Sequence, residues 1–118
     1  METNRKLSAL IPLNHNVKIF IPSTINVNET INNADYVDKT LSTFSDLFGG
    51  ATSYKAMGAW SSIDSGLVKE KVIIVEAFCS EVQLESHIDT VIIYAEKIKA
   101  DMAQEAIALQ IDNKMYFV

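Results

Sequence analysis

The segment of residues 67–78 constrains the fold more than any other part of the sequence, because its centre is apolar at every position. The run from Val72 to Val75 places large side chains on both faces of any strand that it forms. A strand of this kind lies inside a sheet and is covered, at least partly, on both sides. The sequence therefore predicts a sheet in which residues 67–78 form a central strand.

Two amphipathic helices are predicted beside this strand. Val37, Leu41, Phe44 and Phe48 recur at helical spacing, and the helix they predict starts near Asn32 or Asn33, either of which is a suitable N-cap. Gly49 and Gly50 end that helix. Ser80 and Gln83 form a capping-box pattern that opens a second helix. Its apolar face consists of Leu84, Ile88, Val91, Ile92, Ala95, Ile98 and Met102.

The remaining strands follow from β-branched and aromatic segments between turn residues. They are residues 17–21, 51–60, 106–111 and 115–118, with a loop at 61–66 and a hairpin turn at 112–114. Residues 23–33 are rich in asparagine and threonine and predict a polar loop. The order is then β-α-β-β-α-β, which with right-handed crossovers gives an α+β ferredoxin-like sandwich. We expect an antiparallel sheet with both helices on one face and a short C-terminal hairpin strand.

Composition indicates one domain, with residues 1–15 as an N-terminal extension and residues 16–118 as the ferredoxin-like domain. The net charge of −5 provides no footprint for direct nucleic-acid binding. Cys79 is the one cysteine and lies in an apolar run, which favours a reducing compartment. Neither a signal peptide nor a membrane span is evident, so we expect a cytoplasmic protein that does not enter a membrane.

The predicted topology leaves one face of the sheet without helices. With Ile19, Ile73 and Val75 facing the helices, the opposite face carries Lys18, Phe20, Val72, Ile74, Glu76 and Phe78. Antiparallel pairing would put Phe20 opposite Ile74 and Lys18 opposite Glu76. A band of large apolar side chains commonly marks a protein interface. We therefore predict that these six residues form a homo-oligomer interface, a dimer or larger; the alternative is that residues 1–15 or the last hairpin cover the face.

No catalytic, metal or cofactor motif emerges from the residues. His15 and His87 lack the spacing of a metal site, and Cys79 is read as a buried structural residue although it precedes a helix N-terminus. Glu76 and Glu105 are conceivable acid/base groups, with a pair to Lys18 and ordinary exposure as their respective alternatives. We thus predict no catalytic residues, no metal and no cofactor.

A small-molecule site is the alternative to a protein-binding surface. The junctions of strands and helices bring polar and aromatic groups to the sheet ends, where a nucleotide could be bound. The candidate ligand-binding residues are Gly50, Thr52, Trp60, Gln104 and Glu105. A lone tryptophan such as Trp60 is more often a core or interface anchor.

Several motifs together resemble a known group of proteins. They are Phe48-Gly49-Gly50-Ala51-Thr52, then Gly58-Ala59-Trp60, then Gln104-Glu105-Ala106 leading into the last hairpin. They resemble a widespread set of short uncharacterised ferredoxin-like proteins of phages, plasmids and genomic islands, over roughly residues 17–118. Ala103 departs from that pattern, in which a glycine precedes Gln-Glu. The resemblance implies a viral or mobile-element accessory protein.

These observations together predict a non-catalytic, oligomeric binding protein of a phage or mobile element. Its expected partner is a host or phage protein, and inhibition of host defence is the role that the resemblance suggests. The alternatives are a protein that binds or sequesters a small molecule or nucleotide, and then a small enzyme. We incline to no enzymatic activity, because acid/base or nucleophilic chemistry needs positioned partners that the sequence does not reveal.

Overall fold

A computed structural model describes residues 4–25 and 29–118. Within them the chain has two α-helices and an antiparallel sheet, which confirms the α+β prediction at this level. A 3₁₀ turn, Leu7–Ala9, precedes the sheet. The other elements are β1 (His15–Pro22), β2 (Thr24–Ile25), β3 (Glu29–Thr30), α1 (Ala34–Phe48), β4 (Thr52–Ser62), β5 (Gly66–Cys79), α2 (Glu81–Asp101), β6 (Ala108–Ile111) and β7 (Lys114–Phe117).

The main sheet has five antiparallel strands in the order β4-β5-β1-β6-β7. The apolar run from Val72 to Val75 lies on β5, which hydrogen-bonds to β4 on one side and β1 on the other. As the pattern predicts, Phe20 pairs with Ile74 and Lys18 with Glu76. Strands β6 and β7 extend the sheet beyond β1 as a hairpin.

One core contains residues of both helices and of the strands β1, β5 and β6. Alternate residues of β1 and β5 contribute to it, because successive side chains of a strand point to opposite faces. Among the core residues with little or no exposure are Val17, Ile19 and Ile21 of β1, Val75 and Ala77 of β5, Phe44 of α1, and Val91, Ala95 and Ile98 of α2. The apolar stripes of both helices are therefore buried in the same place, as amphipathic helices require.

The ends of α1 and the start of α2 follow local sequence rules. Gly49 ends α1 at φ 90°, a backbone conformation that costs glycine little. The Ser80 hydroxyl accepts from the Gln83 amide at 3.1 Å and the Gln83 side chain accepts from the Ser80 amide at 2.9 Å, which confirms the capping box. Asn33 holds the N-cap position of α1 but does not cap it, because its side-chain amide donates to the Pro22 carbonyl at 2.9 Å.

The segment between β1 and α1 differs from the predicted loop. Residues 24–25 and 29–30 pair as a small two-stranded sheet, β2 with β3. The Ile31 amide donates to the Ser23 carbonyl at 2.9 Å and closes this hairpin. Thr24, Ile25 and Thr30 are β-branched, and this tendency competes with the turn-forming asparagines that suggested a loop.

A two-stranded arm extends beyond the packed part of the sheet. Strand β1 pairs with β5 only as far as Val72, opposite Pro22, whereas β4 pairs with β5 all the way to Gly66. Residues 57–71, called the arm here, therefore have no third strand beside them. The predicted loop at 61–66 shrinks to a tight turn, and the molecule reaches 55 Å in its longest dimension.

Candidate functional site

A cleft of about 570 Å³ lies along the arm, from Lys71 at its base to Ser65 at its tip. Trp60, Val68 and Glu70 line it from the arm, and Ser23, Thr24 and Thr30 line it from the β2–β3 hairpin. Trp60 pairs with Val68 and Gly58 with Glu70, so Trp60 and Glu70 are diagonal neighbours on one face of the arm. Diagonal positions lie about 7–8 Å apart, within reach of long side chains. The cleft has the volume of a small-molecule site.

Glu70 is the carboxylate of this cleft. The Thr24 hydroxyl donates a hydrogen bond to its Oε1 atom at 3.2 Å. No lysine or arginine of the described residues lies within salt-bridge distance of Glu70, and the side chain is half-buried. Lys69 and Lys71 also line the cleft, but neither forms a salt bridge with Glu70.

Gln104 supports the cleft from behind. Its side-chain Nε2 donates to the Thr24 carbonyl at 3.0 Å and to the Met102 carbonyl at 3.1 Å. One amide thus connects the end of α2 to the residue whose hydroxyl contacts Glu70. Gln104 does not line the cleft itself; it contacts Thr24, which does.

A second cleft of about 500 Å³ borders the first on the other side of Ser23 and Lys71, which line both. Its walls include Lys55, Met57 and Ile73. Asn33, at the start of α1, also lines it. The two clefts thus adjoin at Ser23 and Lys71, with Glu70 lining the first and Lys55 the second.

A different polar cluster occupies the helix-free face of the packed sheet. The Lys18 ammonium lies 3.4 Å from a Glu76 carboxylate oxygen, which confirms the predicted pair. Partial burial acts to lower the pKa of Lys18, but hydrogen bonds and charge interactions with Tyr54 and Glu76 outweigh it, and the pKa is raised. Glu76 is therefore neutralised within the chain, unlike Glu70.

The five candidate ligand-binding residues do not share one site. Trp60 lines the first cleft, the one that contains Glu70, and Gln104 supports that cleft through Thr24. Gly50 and Thr52 line a separate depression near Phe78, roughly 26 Å from Trp60 at about 3.3 Å per strand residue. Glu105 is exposed.

The six candidate interface residues share one face, but they are not equally exposed. Ile74 is only 7% exposed and Phe78 is 55% exposed, whereas Lys18, Phe20, Val72 and Glu76 are intermediate. The apolar band is thus partly shielded by its own neighbours. Other large apolar side chains are exposed on the N-terminal segment, the arm, α2 and β7, among them Ile11, Ile63, Val82 and Phe117.

The other chemically notable residues have structural environments. Cys79 is fully buried, and this burial raises the pKa of its thiol. His15 Nδ1 lies 2.8 Å from Asp112 Oδ2, and this hydrogen bond lowers the pKa of Asp112. His87 packs edge-on against Phe48. Within residues 4–25 and 29–118, no group of three or more His, Cys, Asp or Glu side chains is arranged to hold a metal ion.

Solved structures provide the comparison for this architecture. The chain is similar to a phage SAM lyase in complex with S-methyl-5′-thioadenosine, with a TM-score of 0.65 and 16% identity over 92% of both chains. It is also similar to a phage SAM lyase in the apo state, with a TM-score of 0.66 and 16% identity over 92% of this chain and 94% of that one. At this identity the likeness establishes a shared fold. No family model and no curated protein matches the sequence.

This likeness corrects the functional prediction. The expectation of a non-catalytic binding protein, and the inclination against enzymatic activity, are wrong by this comparison, because the two solved structures that share the fold are those of a lyase. The expectation rested on the absence of familiar catalytic motifs from the sequence.

Among residues 4–25 and 29–118, neither α-helix combines the length and the apolar character that a membrane span requires.

Sequence reasoning missed Glu70 and Thr24. They are 46 residues apart, and each is inconspicuous in its own segment. One signal was available: the strand alternation puts Glu70 on the same face as Trp60, one pairing step away. The contact from Thr24 depends on the β2–β3 hairpin, which the sequence did not predict.

Proposed function

We propose that this protein is a lyase that cleaves S-adenosylmethionine and releases S-methyl-5′-thioadenosine. The observation that carries the proposal is the cleft that combines an exposed indole, Trp60, with a carboxylate that forms no salt bridge, Glu70. The fold shared with a phage SAM lyase supports the choice of substrate. The earlier alternative of a nucleotide-like ligand is contained in this proposal, since the substrate carries adenosine.

The substrate's groups match those of the cleft. S-adenosylmethionine has an adenine ring, a sulfonium, an α-ammonium and a carboxylate. Trp60 is 48% exposed and provides a flat surface on which adenine can stack. Lys55, in the adjoining cleft, and Lys71, which lines both clefts, supply positive charge for the carboxylate. The two adjoining clefts can therefore hold an extended molecule with three charged groups and a net charge of +1.

The reaction itself needs little from the protein beyond orientation. Release of S-methyl-5′-thioadenosine breaks the bond between sulfur and the amino-acid chain, and the bond electrons go to sulfur, which leaves as a neutral thioether. A lyase adds no water, so the carbon fragment completes its valence internally, by attack of its own carboxylate or by loss of a proton from the adjacent carbon. Holding the reactive conformer contributes much of such a rate enhancement.

Glu70 is placed at the α-ammonium in this proposal. The positive charge on sulfur disappears as the bond breaks, so a carboxylate beside sulfur would stabilise the bound substrate more than the transition state. The ammonium keeps its charge throughout. A carboxylate bound to it holds the amino-acid chain in place without opposing the reaction.

We also propose the finer fold assignment and an oligomeric state. The strand order, with β5 and β1 inside the sheet and both helices contributing to one core, supports a ferredoxin-like sandwich. Exposed Phe78 on the helix-free face supports self-association through that face. Light scattering of the wild type should give a multiple of the monomer mass, and Phe78→Glu should reduce it; a monomeric wild type at micromolar concentration contradicts the oligomer.

The activity is tested by incubating the purified protein with S-adenosylmethionine and quantifying S-methyl-5′-thioadenosine by mass spectrometry. We expect Glu70→Gln to lower kcat/KM about 10- to 100-fold, the effect of removing a hydrogen bond to a charged group. Glu96→Gln, on the exposed side of α2, is the matched control and should retain wild-type activity. A wild type that forms no thioether product above the uncatalysed background contradicts the proposal.

A further inference from the structure

Helix α2 ends in a Schellman motif that fixes the position of Gln104. The backbone N–H of Gln104 donates to the Lys99 carbonyl at 2.9 Å, and the backbone N–H of Ala103 donates to the Ala100 carbonyl at 3.2 Å. Ala103 holds the left-handed position with φ 50°, where glycine is the usual residue. The backbone of Gln104 is thereby held against the end of a 21-residue helix.

The side chain of Gln104 extends this fixed point toward the cleft. Its Nε2 has two N–H groups, and two carbonyl oxygens accept them, those of Thr24 and Met102. Thr24 in turn donates its hydroxyl to Glu70 Oε1. Hydrogen bonds therefore connect the end of α2 to the backbone of Thr24, and the side chain of Thr24 to the cleft carboxylate.

Glu70 needs such support because of its place on the arm. Strand β1 stops opposite Val72, so β5 has only β4 as a strand partner at Glu70. A glutamate on a two-stranded ribbon has three rotatable side-chain bonds, and it loses rotamer freedom when it is held. The Thr24 hydroxyl is the one described side-chain group that hydrogen-bonds to it.

We propose that Gln104 is a positioning residue, which acts through Thr24 to hold the Glu70 carboxylate in the orientation that binds the substrate ammonium. This inference rests on the proposed lyase function and adds a specific role to a residue outside the cleft. Gln104 touches no reacting atom. Its effect is on substrate binding, so it should change KM much more than kcat.

The experiment measures kcat and KM for S-methyl-5′-thioadenosine formation in four single variants. Thr24→Val removes the hydroxyl with little change of shape, and Gln104→Leu removes both donated hydrogen bonds. Each should raise KM about 10-fold with kcat nearly unchanged, because the contact with the ammonium is made equally in the bound substrate and in the transition state. Thr24→Ser restores a hydroxyl and should recover KM to within about 2-fold of wild type. Gln110→Leu is the matched control, because Gln110 also donates to a backbone carbonyl, that of Asp112, at 2.9 Å.

A double-mutant cycle separates positioning from general structural damage. In the Glu70→Gln background, Thr24→Val and Gln104→Leu should each change KM less than about 2-fold, because residues that act through one another are not additive. Equal losses in the wild-type and Glu70→Gln backgrounds overturn the positioning role. So does an active wild type in which Gln104→Leu behaves like Gln110→Leu. A wild type without activity overturns the proposed lyase function itself, and the positioning role falls with it.

Discussion

Strand β5 passes through two regions that differ sharply in burial. In the packed sheet, Val75, Ala77 and Cys79 are at most 2% exposed, because helices cover that face. On the arm, no residue from 66 to 71 is buried, and Leu67 is 63% exposed. The two halves belong to one continuous strand, so the difference comes from what lies against each half and not from strand formation.

This contrast separates stability from function in the molecule. Buried apolar area is the main source of folding free energy, and in the described residues it is concentrated around β1, the second half of β5 and the two helices. The arm and the β2–β3 hairpin carry the candidate cleft. Regions with little burial open more easily and are commonly those that bind ligands.

The largest expected effect tests the packed region directly. Phe44 is fully buried and packs edge-on against Phe48, with 5.7 Å between ring centroids. Phe44→Ala should lower the free energy of unfolding by about 3–5 kcal/mol, from lost burial and the cavity that remains. Leu67→Ala on the arm should change it by less than about 0.5 kcal/mol. Urea denaturation measures both; similar losses would remove the distinction between the regions.

The next effect belongs to the arm. Trp60→Ala should weaken the binding of S-methyl-5′-thioadenosine by about 1–3 kcal/mol through the loss of base stacking, and Trp60→Phe should retain part of that affinity. Ile63→Ala, at the tip of the arm, is the control for a general effect of arm truncation. Isothermal titration calorimetry provides the affinities. An unchanged affinity in Trp60→Ala would contradict the stacking of adenine on Trp60.

The left-handed positions at the ends of the two helices should both favour glycine over alanine. Gly49 has φ 90° and Ala103 has φ 50°, and an L-residue pays about 1–2 kcal/mol in left-handed backbone. Gly49→Ala should therefore destabilise the protein by about 1 kcal/mol, whereas Ala103→Gly should be neutral or stabilise it by up to about 1 kcal/mol. Thermal unfolding of both variants gives the comparison, and a clear loss in Ala103→Gly would contradict it.

The smallest effect concerns the hydrogen bond between His15 and Asp112 at the far end of the packed sheet. His15 lowers the pKa of Asp112, so the pair stabilises the fold above the ordinary Asp pKa of about 3.9 and loses this effect as the pH falls through the lower folded value. Asp112→Asn should cost less than about 1 kcal/mol near neutral pH, since the carboxylate is 40% exposed. The difference from wild type should shrink below about pH 4; denaturation at several pH values checks this.

Local rules and hydrophobic patterns predicted much of the packed region. The run from Val72 to Val75 identified an interior strand, the Ser80–Gln83 pair identified the start of α2, and alternation gave the Lys18–Glu76 register. These signals are short in range or repeat along one element, so a single sequence contains them. The departure noted at Ala103 also has a structural counterpart, a Schellman motif without glycine.

The candidate cleft was largely beyond such rules. Trp60 was named as a ligand candidate, but it was grouped with Gly50 and Thr52, which lie near the other end of β4. The contact between Thr24 and Glu70 depends on a tertiary approach of the β2–β3 hairpin to the arm. Neither periodicity nor capping encodes that approach, because it arises only when β1 ends before β5 does.

Because Cys79 is buried, the rate at which a reagent labels its thiol measures how often the packed region opens. The chain has a single thiol, fully inside the core and with a raised pKa, so a thiol-specific reagent can react only when that end of β5 opens. Trp60, the single indole, reports on the arm by its emission. The labelling rate of Cys79 and the emission of Trp60, recorded on the wild type, can thus follow the opening of each region separately. A ligand bound beside Trp60 should slow the opening of the arm; it slows the labelling of Cys79 only if the two regions open together.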